Sequence, residues 1–171
     1  MKQSTRLIIA LVVLFGIVGI FILYLSWPFL TGKTIVLATR PVDPFDIFRG
    51  QYITINYEIG NIPAIPEVEE GSAVYVLLEP DEEGIWRFQE VSLTQPREGT
   101  FIRGEIMSIH GDNMRIKYGI EQYFFERHAS LPTRGLTVEV KVSSSGQVRI
   151  SNLLHDGKPV EIEYKNISIT S

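Results

Sequence analysis

The stretch PVDPFDIFRGQYITINYE, from Pro41 to Glu58, decides how the rest of this chain is interpreted. Its first half predicts a loop, because proline pushes the residue before it toward extended conformations and glycine permits a sharp turn. From Gln51 onward the side chains alternate between two faces. One face carries Gln51, Ile53, Ile55, Tyr57 and Ile59, and the other carries Tyr52, Thr54, Asn56 and Glu58. The pattern predicts a loop that leads into a strand with one buried face.

Before this loop lies an uncharged apolar run from Leu7 to Leu25, which continues through Leu30. A helix of this length spans a hydrocarbon core of about 30 Å. A cleaved signal peptide is the alternative, but its apolar region is usually about 7–15 residues and ends at a small-x-small site, which YLSWPFLTGK lacks. The sequence predicts a short tail and an uncleaved transmembrane anchor at 1–31, and an extracytoplasmic domain at 32–171.

The charges predict how the chain is oriented and which partners it avoids. Lys2 and Arg6 precede the apolar run, so the N-terminus is expected in the cytoplasm and the bulk of the chain outside the plasma membrane. Without these two, 14 of the 16 basic residues face 20 acidic ones, a balance of −6. An acidic domain without a basic stripe is a poor nucleic-acid binder and is repelled by anionic lipid. The expected lipid contact is therefore the helix itself.

Period-two patterning dominates the roughly 140 residues after the anchor, a length that suits one domain. Ala73 to Glu79 is apolar on both faces, as in a central strand, and the turn at His110 to Asn113 joins two alternating runs. The proline-containing segment from Asn61 to Gly71 is interpreted as a surface excursion. These patterns predict an all-β fold, either a single antiparallel sandwich or a partly open barrel.

Residues that could carry out chemistry are sparse. The chain has no cysteine, and its three histidines, His110, His128 and His155, have no partner at metal-ligand spacing. It also lacks the G-x-S-x-G motif of a serine nucleophile. We therefore predict no metal site, no cofactor and no catalytic residue, and we favour a role other than catalysis.

The loop and its strand hold the first candidate binding residues. Asp43, Asp46 and Arg49 either form an ion pair that fixes the loop or make an acidic site for a cation or for a partner's basic group. Tyr52 lies on the polar face of the strand with Asn56. There it either packs against a neighbouring strand or is an aromatic anchor for a partner or a sugar ring.

Three segments resemble one known family. GQYITINY at Gly50 to Tyr57 is similar to the signature of the GDYXXLXY family, and PVDPFDIFRG resembles the segment that precedes it. YGIEQYFFE at Tyr118 to Glu126 and SSSGQVRISNLLHDGKPV at Ser143 to Val160 resemble two further family segments. The resemblance implies a membrane-anchored bacterial protein that accompanies a multi-pass membrane protein, and it implies no particular activity.

The chain departs from the signature at two positions. Ile55 replaces a leucine, a conservative change at a core-facing site. Gln51 occupies the acidic position, where its amide accepts a hydrogen bond but supplies neither a carboxylate base nor an ionic metal ligand. A hydrogen-bonding role for this position, with Arg49 or Tyr57, is the simpler interpretation.

Two functional hypotheses follow. The first is an accessory or interaction module for another membrane or envelope protein, held close to the membrane by its short tether. The second is an envelope glycan- or small-ligand-binding domain, or a hydrolase, with a cleft of tyrosines and one carboxylate. That cleft would be formed by Tyr52, Tyr57, Tyr118, Tyr123 and Glu121.

Overall fold

A long N-terminal helix precedes the β domain in the computed structural model, which describes residues 3–40, 52–124, 129–130, 135–160 and 163–164. The helix α1 covers Gln3–Leu30. Its apolar side chains are exposed on all sides, as at Leu14, 58% exposed, and Ile20, 70% exposed. By length and composition Gln3–Ser26 is able to cross a membrane, and a secretion signal near the N-terminus has the same properties.

Nearly all other described elements are strands, because alternating apolar residues and frequent turn residues favour extended chain. One turn of 3-10 helix, Glu58–Gly60, interrupts them. In chain order the strands are β1 (Lys33–Arg40), β2 (Tyr52–Thr54), β3 (Asn56–Tyr57), β4 (Asn61–Pro63), β5 (Ala73–Pro80), β6 (Ile85–Ser92), β7 (Thr100–His110), β8 (Asn113–Lys117), β9 (Gln122–Phe124), β10 (Ala129–Ser130), β11 (Leu136–Val142), β12 (Val148–His155), β13 (Lys158–Pro159) and β14 (Glu163–Tyr164).

Ten of the described strands form one sheet in the order β13-β12-β11-β1-β6-β5-β7-β8-β4, with β3 paired to β1 beside this path. The all-β prediction is confirmed, and the sheet is not closed into a barrel. β1 and β6 are paired in parallel, with Val36 opposite Ile85. The sequence pattern predicts antiparallel pairing only; a parallel pair forms here because β2 to β5 provide the long connection that it needs.

The sheet is curved. The turn between β11 and β12 contacts β7, which is four places from β11 in the sheet order, and a flat sheet would keep these two elements apart. The N–H of Arg103 in β7 donates to the carbonyl oxygen of Gly146 in that turn, at 2.8 Å. The segment 56–63 also links two separated strands: β3 pairs with β1, and β4 pairs with β8. A curved sheet of this kind encloses its core on the concave side.

The core consists of the alternate residues that the strand pattern places on one face. Ile55, Tyr57 and Ile59 are at most 4% exposed, which confirms the predicted buried face of the described part of the Gln51–Ile59 segment. β5 lies inside the sheet order, as predicted, with Val74 and Val76 fully buried, but its other face is only partly covered, since Tyr75 and Leu77 are half-buried. Fully buried side chains come from several strands: Ile35, Leu37, Ile62, Val74, Val76, Ile102, Ile106, Met114, Val138 and Val140.

One sequence interpretation is wrong. Asn61–Pro63 is not part of a surface excursion but forms β4, paired with β8, and Ile62 is only 2% exposed. Proline demotes a strand to an edge because it lacks an N–H donor. β4 is the last strand of the sheet order, so Pro63 is compatible with its position in a strand.

Candidate functional site

Two of the segments that carry the family resemblance lie side by side. β2 pairs with β9 in antiparallel register, so that Tyr52 lies opposite Phe124 and Ile53 opposite Tyr123. Ile55, the residue after β2, continues the contact, since its N–H donates to the carbonyl oxygen of Glu121 at 2.7 Å. The sequence pattern does not predict this pairing, because the paired residues are about 65 positions apart in the chain.

Tyr57 and Tyr118 tie the two segments together where the regular ladder is interrupted. The Tyr57 hydroxyl donates to the carbonyl oxygen of Ile120 at 2.9 Å, and the Tyr118 hydroxyl donates to the carbonyl oxygen of Ile59 at 2.7 Å. The two residues are 4% and 8% exposed, respectively. Each hydroxyl therefore satisfies a backbone carbonyl of the opposite segment, as buried polar groups require. We call these two residues the tyrosine pair.

Burial raises the pKa of both Tyr57 and Tyr118 well above its ordinary value, and the negative charge of Glu121 raises each further. Burial is the larger cause, because a phenolate would lose its hydration in the core. Both hydroxyls are consequently neutral donors at physiological pH. A nucleophilic or general-base role would need the opposite shift, so this geometry does not favour a catalytic use of the tyrosine pair.

Glu121 closes the turn that follows β8. Its carboxylate accepts the N–H of Tyr118 at 2.5 Å and the N–H of Gly119 at 2.9 Å. Gly119 has a φ of +82°, a left-handed conformation that glycine adopts without strain. In this turn the two N–H groups bond to the carboxylate and not to carbonyl oxygens of a neighbouring strand. Glu121 therefore has a structural role.

Replacing Glu121 should therefore weaken the fold. Glu121→Gln keeps one acceptor oxygen but loses the charge, and we expect the free energy of unfolding to fall by about 1 kcal/mol. Urea unfolding of the full chain in a non-ionic detergent, followed by Trp86 fluorescence in a Trp27→Phe background, measures this change. Glu90→Gln is the matched control, since the Glu90 side chain is exposed on β6 and makes no hydrogen bond within the described residues. Equal stability of the two variants would contradict the role assigned to Glu121.

A charged cluster adjoins the same segment and was not predicted. Arg87 in β6 forms ion pairs with Glu58, the residue after Tyr57, and with Asp81, at 2.9 Å for the latter. The hydrogen bond from Arg87 holds the pKa of Asp81 below its ordinary range. Asp81 also accepts the N–H groups of Glu83 and Ile85 in its turn. The available sequence signal was the DEEG turn, where aspartate often accepts backbone N–H groups.

A shallow cleft of about 380 Å³ opens beside this cluster. It is lined by Arg40, Glu58, Ile59, Arg87 and Phe88. Arg87 is neutralised by its two carboxylates, whereas Arg40 makes no ion pair with any other described residue. A guanidinium that is exposed at the edge of a cleft is suited to bind a carboxylate of a partner.

The remaining candidate residues differ in how much of each the structure describes. Asp43, Asp46, Arg49 and Gln51 lie outside the described residues. Tyr52 is described by its backbone, which starts β2. Tyr123 packs partly buried against the core. The predictions on the loop and on Tyr52 stay predictions, while Tyr57, Tyr118 and Glu121 are brought together as described above.

Metal-ligating groups do not cluster in the described ranges, where no three histidine, aspartate or glutamate side chains converge. His110 ends β7 at the hairpin and is exposed, as the turn pattern predicts. His155 ends β12 beside the exposed Asp156, with 3.6 Å between Nδ1 and Oδ2. His128 lies outside the described residues.

Comparison with known proteins gives one match. The family model described as GDYXXLXY protein matches residues 14–153, from within α1 to within β12. Neither the curated proteins nor the solved structures contain a match to this chain. The match includes the tyrosine pair, the segment after β8 and the GQYITINY signature, whose described residues 52–57 we call the signature strand. The chain therefore belongs to the GDYXXLXY protein family.

Proposed function

We propose that the protein is a single-pass membrane protein, with its N-terminus in the cytoplasm, whose extracytoplasmic β domain is an accessory or interaction module for another membrane or envelope protein. One observation carries the proposal. The exposed apolar helix α1 ends at Leu30, and only Thr31 and Gly32 separate it from β1, whose Ile35 and Leu37 are core residues. A tether of two residues holds the domain directly at the membrane.

β1 leads from the end of the domain next to α1 to the opposite end. It runs from Lys33, next to the helix, to Arg40, a distance of about 23 Å at 3.3 Å per residue. At its far end Thr39 pairs with Tyr57, so the signature strand lies away from the helix. The cleft at Arg40 is also at this end. A partner that is itself anchored in the membrane would reach this end with its extramembrane part.

The anchor is tested first. Full-length protein from its own host should stay in the membrane pellet after alkaline carbonate extraction, and its intact mass should include residues 1–31. A shorter chain in the soluble fraction would identify α1 as a cleaved secretion signal and would refute the anchored arrangement.

The interaction role is tested by purification in mild detergent. A membrane partner should be recovered at near one-to-one ratio with the full-length protein. It should be absent when the chain without residues 1–31 is exported by a foreign signal. Recovery of the full-length protein alone would refute the accessory role.

The candidate loop and strand are tested by Arg49→Ala and Tyr52→Ala, each with a folded domain. Both should reduce partner recovery severalfold, whereas Arg115→Ala, a change at an exposed arginine on β8, should not. Unchanged recovery in both variants would remove this loop and strand from the interface.

The alternative of a glycan- or small-ligand-binding domain with a tyrosine and glutamate cleft gains no support from this geometry. Both hydroxyls of the tyrosine pair and the carboxylate of Glu121 are already bonded to backbone groups. A ligand would have to displace these bonds before it could use those atoms.

A further inference from the structure

A second cleft, of about 600 Å³, lies at the end of the β domain that adjoins α1. Three elements enclose it: the helix-to-strand junction, the loop between β6 and β7, and the turn between β11 and β12. Its lining residues are Thr31, Gly32, Lys33, Gln95, Pro96, Arg97, Gly99, Thr100, Phe101, Val142, Ser143 and Ser144. We call it the junction cleft.

The charge of the junction cleft is opposite to that of the domain. Its lining contains two cations, Lys33 and Arg97, and no acidic residue. Glu98 is in the same loop, but it is exposed and does not line the cleft. In a domain with a net charge of −6 outside the anchor, this local excess of positive charge creates a favourable site for an anion.

Lys33 is held in place at the cleft. Its Nζ donates to the hydroxyl of Thr100 at 3.0 Å and lies 4.3 Å from the ring centroid of Trp86. Such a cation–π contact orients an ammonium group without neutralising its charge. Arg97 is exposed, and it makes no ion pair within the described part of the chain. Both cations are therefore available to an anion.

The opposite wall is a tightly bonded turn. The hydroxyl of Ser143 accepts the N–H of Gln147 at 3.1 Å, and the N–H of Gly146 donates to the carbonyl oxygen of Ser143 at 3.0 Å. Gln95 connects the loop to this turn, since its Nε2 donates to the carbonyl oxygen of Ser144 at 3.4 Å. Two buried apolar side chains, Phe101 and Val142, complete the lining. The cleft thus combines cationic groups with an apolar surface.

We infer that the junction cleft binds a phosphate group, and that its source is the headgroup of an anionic phospholipid in the leaflet from which α1 emerges. The inference rests on the proposed membrane anchor, because α1 is what brings Thr31 to Lys33 to the lipid headgroups. Lys33 and Arg97 would contact the phosphate, while Phe101 and Val142 would contact the glycerol and the adjoining carbons. Repulsion between the acidic domain and anionic lipid is thereby offset at the one edge that faces the membrane.

The test uses full-length protein in nanodiscs that contain phosphatidylglycerol and phosphatidylcholine in equal amounts. Native mass spectrometry should show that retained lipid is mainly phosphatidylglycerol. Lys33→Gln with Arg97→Gln should reduce this preference about thirtyfold, since each of the two cations near a membrane surface contributes about 1 kcal/mol. Arg115→Gln with Lys117→Gln removes the same charge from β8 and should retain the wild-type preference. Equal retention of the two lipids, or equal loss in both double variants, would overturn the inference.

A second arm separates lipid from free phosphate. In a Trp27→Phe background Trp86 is the one remaining tryptophan, and its contact with Lys33 makes its fluorescence sensitive to an anion in the cleft. Protein in a non-ionic detergent should respond to phosphatidylglycerol at concentrations at which inorganic phosphate has no effect, and Arg97→Gln should weaken that response. A response to inorganic phosphate at equal or lower concentration would refute the lipid source and identify a site for a soluble phosphate compound.

Failure of this inference is distinguishable from failure of the proposed function. Carbonate extraction and intact mass report the anchor without reference to bound lipid. An anchored, full-length chain with no lipid preference would refute the junction-cleft inference alone. A chain cleaved after α1 in its host would refute both.

Discussion

At pH 11.5 the domain is expected to be about 4 kcal/mol less stable toward urea than at pH 9, and the tyrosine pair is the reason. Burial, with a smaller contribution from Glu121, raises the pKa of Tyr57 and Tyr118 in the folded state. In the unfolded chain both ionise above about pH 10. Unfolding above that pH therefore releases two protons, and stability falls by about 1.4 kcal/mol per pH unit for each tyrosine. Below about pH 10 both are protonated in both states and cause no pH dependence.

The double variant Tyr57→Phe with Tyr118→Phe isolates this effect. It should lose about 2.7 kcal/mol per pH unit of the alkaline slope, since lysines and the other tyrosines are unchanged. At pH 7 each single variant should cost about 1–3 kcal/mol, because a buried carbonyl oxygen loses its donor. Tyr75→Phe is the matched control, since that ring is only partly buried and packs edge-on against Phe101. The same alkaline slope in the wild type and the double variant would contradict the assignment.

Gly104→Ala should destabilise the domain by about 3 kcal/mol, the upper part of the range for overpacking a core. Gly104 lies in β7, and a Cβ atom there would be 2.3 Å from Cγ2 of Ile116 and 3.0 Å from Cε1 of Tyr118. Both neighbours are buried, so neither can move aside freely. The Tyr118 ring packs on the space that this glycine leaves, and its hydroxyl then reaches Ile59.

Two variants make the Gly104 prediction specific. Gly60→Ala is the matched control: the nearest atom to its new Cβ would be the carbonyl oxygen of Ile116, at an ordinary contact distance of 3.9 Å, so its effect should stay within about 1 kcal/mol. Ile116→Leu moves the branch away from Cβ and should recover part of the loss in Gly104→Ala, which a double-mutant cycle measures. Strict additivity of Gly104→Ala and Ile116→Leu, or an equal loss in Gly60→Ala, would contradict the steric explanation.

The accessory role and the junction cleft concern different ends of the domain. The signature strand and the cleft at Arg40 lie at the end of β1 that is far from α1, where a partner would bind. The junction cleft lies at the near end, where the chain would meet lipid. If both proposals hold, lipid contact fixes the height and orientation of the domain, and the far end is presented to the partner.

Local sequence patterns were sufficient for the fold class and for much of the core. The alternation along β11 and along Met114 to Ile120 requires neighbouring residues to point to opposite faces, whatever the rest of the chain does. The same reasoning correctly predicted that Ile55, Tyr57 and Ile59 are buried. The resemblance of three short segments was sufficient to identify the family.

Local patterns also misled in one place. The prolines of the segment after Gly60 predict a surface loop. Ile62 is nevertheless buried, because β4 pairs with the free edge of β8. Such pairing depends on a partner about 50 residues away in sequence. No window of neighbouring residues contains that partner.

By itself, the sequence determined an apolar helix long enough to cross a membrane, an all-β domain after it and the buried face of the strands whose apolar residues alternate, because these depend on chain length and side-chain period alone. Only the tertiary structure decided the parallel pairing of β1 with β6, the bonds between the tyrosine pair and the opposite segment, and the union of Lys33 with Arg97 in one cleft. Each of these joins residues that are distant in sequence. The curvature and strand order of the sheet bring them together, and neither property is encoded in any single segment.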